Sequence, residues 1–239
     1  MVAAGAAHVT AANKALESFK RHAPALPACL FTDRPELAEG WDIVRPVTAA
    51  HGRSKVDCLP ETPFARTLYV DTDTLALADI RPVFALLDRF DVAICHIPMW
   101  QRPNQNRTWR HELPYAFPQM NGGVILYRAD GRARALLESW RETYHVARAE
   151  AGIRSDQITL REAIWQADDL RLYILPPQWN KRIIEVSELL FSDQPKPIIL
   201  HLNPLRPPRH AGQRLLARFI RWAAPKRWRH RGALGPDPQ

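Results

Sequence analysis

The stretch that most constrains this chain is Phe64-Ala-Arg-Thr-Leu-Tyr-Val-Asp-Thr-Asp-Thr-Leu75. Leu68, Tyr69 and Val70 form a short apolar run of strand formers, which predicts a buried strand. Asp71 and Asp73 follow at its C-terminal end, the side of an open α/β sheet on which ligands bind. Two carboxylates one residue apart repel each other unless something neutralises them. A hard divalent cation that also takes oxygens from a phosphate does so. Asp71-Thr72-Asp73 therefore reads as a candidate metal–diphosphate site, beside the plainer reading of a polar turn after a buried strand.

The rest of the chain alternates strand and helix patterns. Met1 to Gly5 reads as the end of a first strand, short or begun late. Thr10 is a candidate cap for a helix to about His22, with Ala12, Ala15, Leu16 and Phe19 on one face. Short strands are expected at Ala28 to Phe31 and Asp42 to Val47, and a short helix at Ser54 to Leu59 with Lys55 near its start. Pro82 suits the first turn of a helix whose inner face is Val83, Phe84, Leu86 and Leu87. Asp91 to Cys95 reads as a strand. His96 to Pro118, with Trp100, Pro103, Trp109 and Pro114, reads as a binding loop or a plain excursion. Asn121-Gly122-Gly123 precedes a strand from Val124; a tight turn is the simpler expectation, a close backbone approach the other.

Arg132 to Tyr144 is an amphipathic helix with Ala133, Leu136, Leu137 and Trp140 inward. Ser155 is the natural cap of the next helix, with Asp156 at its positive end and Ile158, Ala163, Ile164 and Trp165 inward. Leu170 to Leu175 is a strand, and Pro176 to Asn180 a rigid loop. Pro197-Ile-Ile-Leu-His201 is a last apolar strand. A lone strand-end histidine is usually structural, unless the fold returns it to Asp71 and Asp73. The whole pattern predicts an α/β fold, a mixed sheet with helices on both faces.

Composition matters mainly at the C-terminus. The net charge is +8 over 239 residues. From His201 onward there are nine Lys/Arg and one acidic residue, Asp237, so the excess sits in the tail. Residues 1–203 read as one catalytic-size domain and 204–239 as a basic appendage. Within it Leu215, Leu216, Phe219, Ile220 and Trp222 alternate with Arg214, Arg218 and Arg221, and a basic run follows to Arg231. Such a segment suits an anionic membrane surface through residues 211–231. No nucleic-acid motif accompanies it. No run reaches the ~20 apolar residues of a membrane span. Three cysteines, odd in number and widely spaced, read as buried thiols in a reducing compartment. The expected location is cytoplasmic, peripheral to the inner membrane face.

The order of these stretches carries a resemblance. A strand ending in D-x-D, then N-G-G, then D-Q opening a helix, then a histidine closing a last strand is similar to the GT-A fold glycosyltransferases. Family 8, the group of bacterial lipopolysaccharide galactosyltransferases and glycogenin, is the nearest in pattern. The resemblance spans roughly residues 1 to 203 and includes Lys55 and Phe31-Thr-Asp33. It implies a Rossmann-like nucleotide-diphospho-sugar transferase fold. It implies that Asp71, Asp73 and His201 bind Mn²⁺ or Mg²⁺, which holds the diphosphate of a UDP-sugar donor. It further implies Ala3, Ala4 and Gly5 against the nucleoside, Lys55 near the sugar or diphosphate, and Thr72 near ribose or phosphates. Asn121, Gly122 and Gly123 would border the sugar and acceptor pocket, and Asp156 and Gln157 would flank the transferred sugar. The resemblance also implies retention of configuration; were the reaction inverting, Asp156 is the available general base. The family's glycine and K-P-W after the late histidine are replaced here by Leu-Asn-Pro-Leu-Arg-Pro-Pro-Arg, with Arg206 or Arg209 as substitute cations.

Two rivals remain. Val70-Asp-Thr-Asp-Thr74 also resembles the D-x-D-x-T of haloacid-dehalogenase-type phosphatases, with Asp71 as nucleophile, Asp73 as acid/base and Asp168-Asp169 as a late acidic pair. The other rival is a non-catalytic, membrane-associated sugar-nucleotide-binding protein.

Overall fold

A computed structural model describes residues 1–97, 107–182 and 196–201. The expectations for Trp100, Pro103, Arg206, Arg209 and the tail at 211–231 lie outside the described residues. Among the described residues, strands fall into three groups. A parallel set holds β1 (Val2–Ala3), β2 (Cys29–Thr32) and β3 (Ile43–Pro46). A mixed set holds β4 (Arg66–Val70), β6 (Val92–His96), β7 (Met120–Arg128) and β8 (Leu172–Ile174), in the order β4-β7-β6-β8. A two-stranded ribbon joins β5 (Thr74–Ala76) to β9 (Ile199–His201).

Strand β7 is the spine of the core, buried from Met120 to Tyr127. Alternate residues face opposite layers, as a pleated strand requires. Ile125 and Tyr127 pack with Trp140, Leu137 and Leu160, under helices α3 (Gly131–Ala151) and α4 (Asp156–Gln166). Val124 packs on the other side with Val70, Ile199 and Phe19 of α1 (Ala6–His22). Leu126 meets Val83 and Leu87 from the 3-10 segment Arg81–Asp88. Helical elements thus cover both faces, as expected.

Several boundaries differ, each for a local reason. Helix α1 starts four residues before Thr10, after Gly5 at φ 87°, a left-handed conformation that glycine adopts freely. Thr10 sits inside the helix, and its hydroxyl bonds back to Ala6 O. The segment after Ile80 forms 3-10 turns rather than an α-helix. Helix α3 runs seven residues past Tyr144 and ends on Gly152 in the left-handed region. Ser155 precedes α4, but its side chain makes no capping hydrogen bond. Trp165, expected inward, is 45% exposed and lies against Phe117, ring centres 5.1 Å apart. Asn121, Gly122 and Gly123 form no turn, because β7 runs straight through them.

Helix α4 carries an unexpected charged pair in the core. Arg161 and Glu162 are 1% and 2% exposed. Glu162 accepts the backbone N–H groups of Trp109 and Arg110. Arg161 donates to the carbonyls of Phe117 and Pro114, at 2.8 and 3.1 Å. One helix turn therefore pairs with donors at one end of the 109–117 segment and acceptors toward the other, and the segment has no ladder of its own.

The three cysteines are free and buried. Burial pushes the Cys58 and Cys95 thiols up to about 12, which leaves them unreactive at neutral pH.

Candidate active site

The two carboxylates flank a tight turn. Asp71 leaves β4, Thr72 and Asp73 form the turn, and Thr74 opens β5. The Thr74 hydroxyl closes it by donating to Asp71 O at 2.7 Å. Strand pairing then brings the other members in. β4 runs antiparallel to β7 with Val70 opposite Val124, so Gly123 lies beside Asp71, and Asp71 N–H donates to Gly123 O at 2.8 Å. β5 runs antiparallel to β9 with Thr74 opposite His201. That register returns the last strand's histidine to the D-x-D turn.

His201 Nε2 lies 3.0 Å from Asp73 Oδ1 and 3.8 Å from Asp71 Oδ2. One ligand atom from each of Asp71, Asp73 and His201 falls within 4.8 Å of the others. The ring is 3% exposed, and its Nδ1 lies 2.7 Å from Asn180 Oδ1. A carbonyl oxygen can only accept, so Nδ1 carries a proton. Nε2 faces the two carboxylates: protonated, it pairs with Asp73; unprotonated, it turns a lone pair toward the same point, where a cation would fit between the three groups. This is how an outer hydrogen bond orients a histidine ligand. The lack of a side chain at Gly123 makes the room. A Cβ there would stand 2.2 Å from His201 Cε1 and 3.0 Å from Asp71 Oδ2. Two carboxylates and one imidazole fit a hard divalent ion such as Mn²⁺ or Mg²⁺.

Lys55, at the start of the short helix α2 (Lys55–Cys58), is 8% exposed. Its ammonium donates to Gly122 O at 2.9 Å and pairs with Asp156 at 3.1 Å and Asp71 at 3.3 Å. Burial alone would pull this ammonium down, but Asp156 and Asp71 outweigh it and hold its pKa above the ordinary lysine value. Asp156 is also held by Arg53 Nε at 3.0 Å, so it bridges two cations rather than merely facing a helix end. Tyr69 completes the wall by donating its hydroxyl to Asp71 Oδ1 at 2.6 Å. Burial first, and Asp71 second, keep that phenol far above its ordinary value and hence protonated. Burial would raise Asp73 too; the hydrogen bond and charge of His201 outweigh it, Arg182 adds to them, and the carboxyl lies below its usual range.

The structure therefore gathers Asp71, Asp73, His201, Lys55, Asp156, Gly122 and Gly123 around one point. Asn121 is buried beside them, but its Oδ1 turns back to the Gly123 N–H. Thr72 lies in the turn, and Gln157 is half-buried after Asp156. Among the described residues, neither of these side chains has a hydrogen-bond partner. Ala3 ends β1, and Ala4 and Gly5 lead into α1. Ala3 is in register with Thr32, and Gly5 N–H donates to Asp33 at 2.7 Å. Tyr69, Arg53 and Asn180 are members that sequence reasoning missed. Only Tyr69 carried a local signal, two residues before Asp71 on the same face of a strand.

A second cluster, His51, Asp57 and His145, also has metal-ligand spacing. Hydrogen bonding accounts for it. His51 Nδ1 accepts from Arg53 N–H at 3.1 Å, so Nε2 holds the proton it gives Asp57 at 2.6 Å. His145 reaches the other Asp57 oxygen at 2.6 Å. The cluster thus ties α2 to α3.

No family model matches the chain, and no curated protein matches it in sequence. Solved structures do. A galactosyltransferase, LgtC, crystallised with donor and acceptor sugar analogues, is similar over 96% of this chain and 99% of its own, with TM-score 0.61 and 13% identity. The glycosyltransferase GlyE of Streptococcus pneumoniae TIGR4 is similar over 100% of this chain and 66% of its own, with TM-score 0.59 and 17% identity. The fold is that of GT-A-like glycosyltransferases. The phosphatase alternative built on Asp71, Asp73 and Asp168-Asp169 loses its structural basis with that assignment.

Proposed function

We propose that this chain is a metal-dependent glycosyltransferase. It moves a sugar from a nucleoside-diphosphate sugar, with UDP as the nucleotide, to a glycan or lipid-linked acceptor, with retention of configuration. The observation that carries this reading is the convergence of Asp71, Asp73 and His201 on one point, in space that Gly123 keeps open. A bound Mn²⁺ or Mg²⁺ ion would neutralise charge on the donor's diphosphate. Asp71 and Asp73 hold that ion, and Asn180 keeps His201 Nε2 turned toward it. Lys55 balances Asp71 and Asp156 and fixes the Gly122 carbonyl, which keeps the pocket floor rigid before the donor arrives.

Asp156 and Gln157 flank the transferred sugar. The carboxylate of Asp156, held between Lys55 and Arg53, supports positive charge that develops on the sugar ring. With both of its oxygens facing cations, it is poorly suited to act as a general base, which favours a front-face path with retention. Ala3, Ala4 and Gly5 take the nucleoside, Thr72 the ribose or phosphates, and Asn121, Gly122 and Gly123 the border of the acceptor pocket. The protein works at the cytoplasmic side, with residues 211–231 on the anionic inner membrane face.

The test is release of UDP from a panel of UDP-sugars with and without Mn²⁺, using Asp73→Ala as control. Metal-dependent turnover of one sugar, lost in the variant, is expected. Metal-dependent UDP binding with no transfer to any acceptor would favour the non-catalytic binding protein, and no UDP binding would remove the proposal.

A further inference from the structure

The two carboxylate oxygens of Asp71 are not equivalent. Oδ1 accepts the Tyr69 hydroxyl at 2.6 Å. Lys55 Nζ stands nearer to that oxygen, at 3.3 Å, than to Oδ2, at 3.5 Å. Oδ2 is the oxygen 3.8 Å from His201 Nε2, and the one 3.0 Å from where a Cβ on Gly123 would stand. Oδ1 is thus bound to the protein, and Oδ2 lies toward the other candidate ligands. The backbone of Asp71 is fixed as well. Its N–H donates to Gly123 O at 2.8 Å, and its carbonyl accepts the Thr74 hydroxyl at 2.7 Å. Only the side-chain torsions of Asp71 are left to move, and the Tyr69 bond restrains them. Tyr69 itself has little freedom. It is 5% exposed, belongs to the core layer of Val56, Leu59 and Leu160, and is held in β4 opposite Ile125.

We infer that Tyr69 is a positioning residue that restricts Asp71 to ligation through one oxygen, and so sets the site for small six-coordinate ions over Ca²⁺. The inference rests on the metal-dependent reading above. A carboxylate can hold a cation through one oxygen or through both. Mg²⁺ demands near-octahedral geometry with oxygens at about 2.1 Å, whereas Ca²⁺ takes about six to eight oxygens and readily both of one carboxylate. Mn²⁺ shares the octahedral preference. For Asp71 to grip through both oxygens, Oδ1 would have to give up a short bond from a phenol to a carboxylate, one of the stronger hydrogen bonds a protein makes. The same bond holds Oδ2 in place before an ion arrives, as an outer partner does for a ligand. His201 disfavours Ca²⁺ whatever stands at position 69, so a change on replacing Tyr69 isolates the hydroxyl.

The experiment is titration of the full chain with Mn²⁺, without and with UDP, read from the electron spin resonance of the free ion and followed by displacement with Ca²⁺. The proteins are wild type, Tyr69→Phe, Tyr127→Phe and Asp71→Asn. Tyr127→Phe removes another buried hydroxyl of the same core, one that donates to Leu59 O at 2.8 Å, and so reports general loosening. Asp71→Asn reports whether the bound ion lies at this site. Tyr69→Phe is expected to weaken Mn²⁺ binding about tenfold or more. Ca²⁺ should lose less, so the preference for Mn²⁺ narrows, while Tyr127→Phe leaves both ions as in wild type. Unchanged Mn²⁺ affinity and unchanged preference in Tyr69→Phe would overturn the inference and leave the metal site standing. Equal losses for the two ions, or the same change in Tyr127→Phe, would overturn it too. Wild type that takes up no Mn²⁺ in either condition, or uptake that survives Asp71→Asn, would remove the underlying metal reading, and the inference with it.

Discussion

Gly122 and Gly123 are neighbours in one strand, yet the space beside them differs. A Cβ on Gly122 would meet Lys55 Nζ, Leu160 Cδ2 and Asp156 Oδ2 at 3.5 to 3.7 Å, ordinary contact. On Gly123 it would overlap His201. Gly123→Ala should therefore displace the histidine and lower metal-dependent transfer by about 100-fold or more. Gly122→Ala should keep its metal affinity and most of its rate. Titrating both with Mn²⁺ and assaying transfer checks the contrast. Lys55→Met leaves Asp156 and Asp71 without their shared buried partner and should cost about 3–5 kcal/mol in urea unfolding. The pKa of Lys55 is raised. Its stabilisation is therefore complete below the free-lysine value and lost only as pH rises through the higher folded one. The cost should be flat across roughly pH 6 to 9. The carboxylates of this site were legible because their chemistry is local: strand, then D-x-D. At Gly123 the simpler expectation, a turn, did not hold and the other, a close approach, did; the group that forbids a side chain there, His201, arrives from a distant strand and leaves no local signal.

At the level of elements, ion pairs fasten the irregular pieces. Asp91, before β6, accepts from the Arg171 backbone at 3.0 Å and from its guanidinium at 2.6 Å, pinning β8 to its neighbour. The Arg171 hydrogen bond holds this carboxyl below its usual range. A depressed carboxylate stabilises above its unfolded value and loses that effect as pH falls through the folded one. Asp91→Asn should thus cost about 1 kcal/mol near neutral pH, discounted because Arg171 is half exposed, and nothing once the pH is well below about 4. Unfolding curves of the two proteins across that range test it. The Arg161–Glu162 clamp is stronger because it is dry. Glu162→Gln should speed hydrogen exchange at Trp109 and Arg110 and cost about 2 kcal/mol. Periodicity predicted the strands and the inward faces of α1 and α3 well, because these follow from simple burial. On α4 it placed Ile158, Ala163 and Ile164 inward as found, but missed the charged pair inside and put Trp165 on the wrong side. Side-chain spacing does not record that a neighbouring loop lacks partners for its backbone.

For the whole molecule, the excess positive charge belongs to the last segment of sequence, while the described residues carry the candidate site. Among the described residues no helix is long and apolar enough to cross a membrane. Removing residues 211–239 should abolish co-flotation with anionic vesicles and leave Mn²⁺-dependent UDP binding unchanged; unchanged flotation would rule out a membrane role for the tail. The division at residues 203 and 204 rests on charge distribution alone, and the identity of donor sugar and acceptor depends on loop shape that composition does not encode. Helix α4 joins two parts of the described structure. Asp156 opens it, and Arg161 and Glu162 follow within two turns, a span of about 10 Å at 1.5 Å per residue. A body so short transmits displacement with little bending. A ligand that displaces the 109–117 segment is therefore expected to alter the affinity of whatever lies against Asp156, which titrating each ligand with and without the other checks. Thermodynamic reciprocity requires that the second ligand alter the affinity of the first by the same factor.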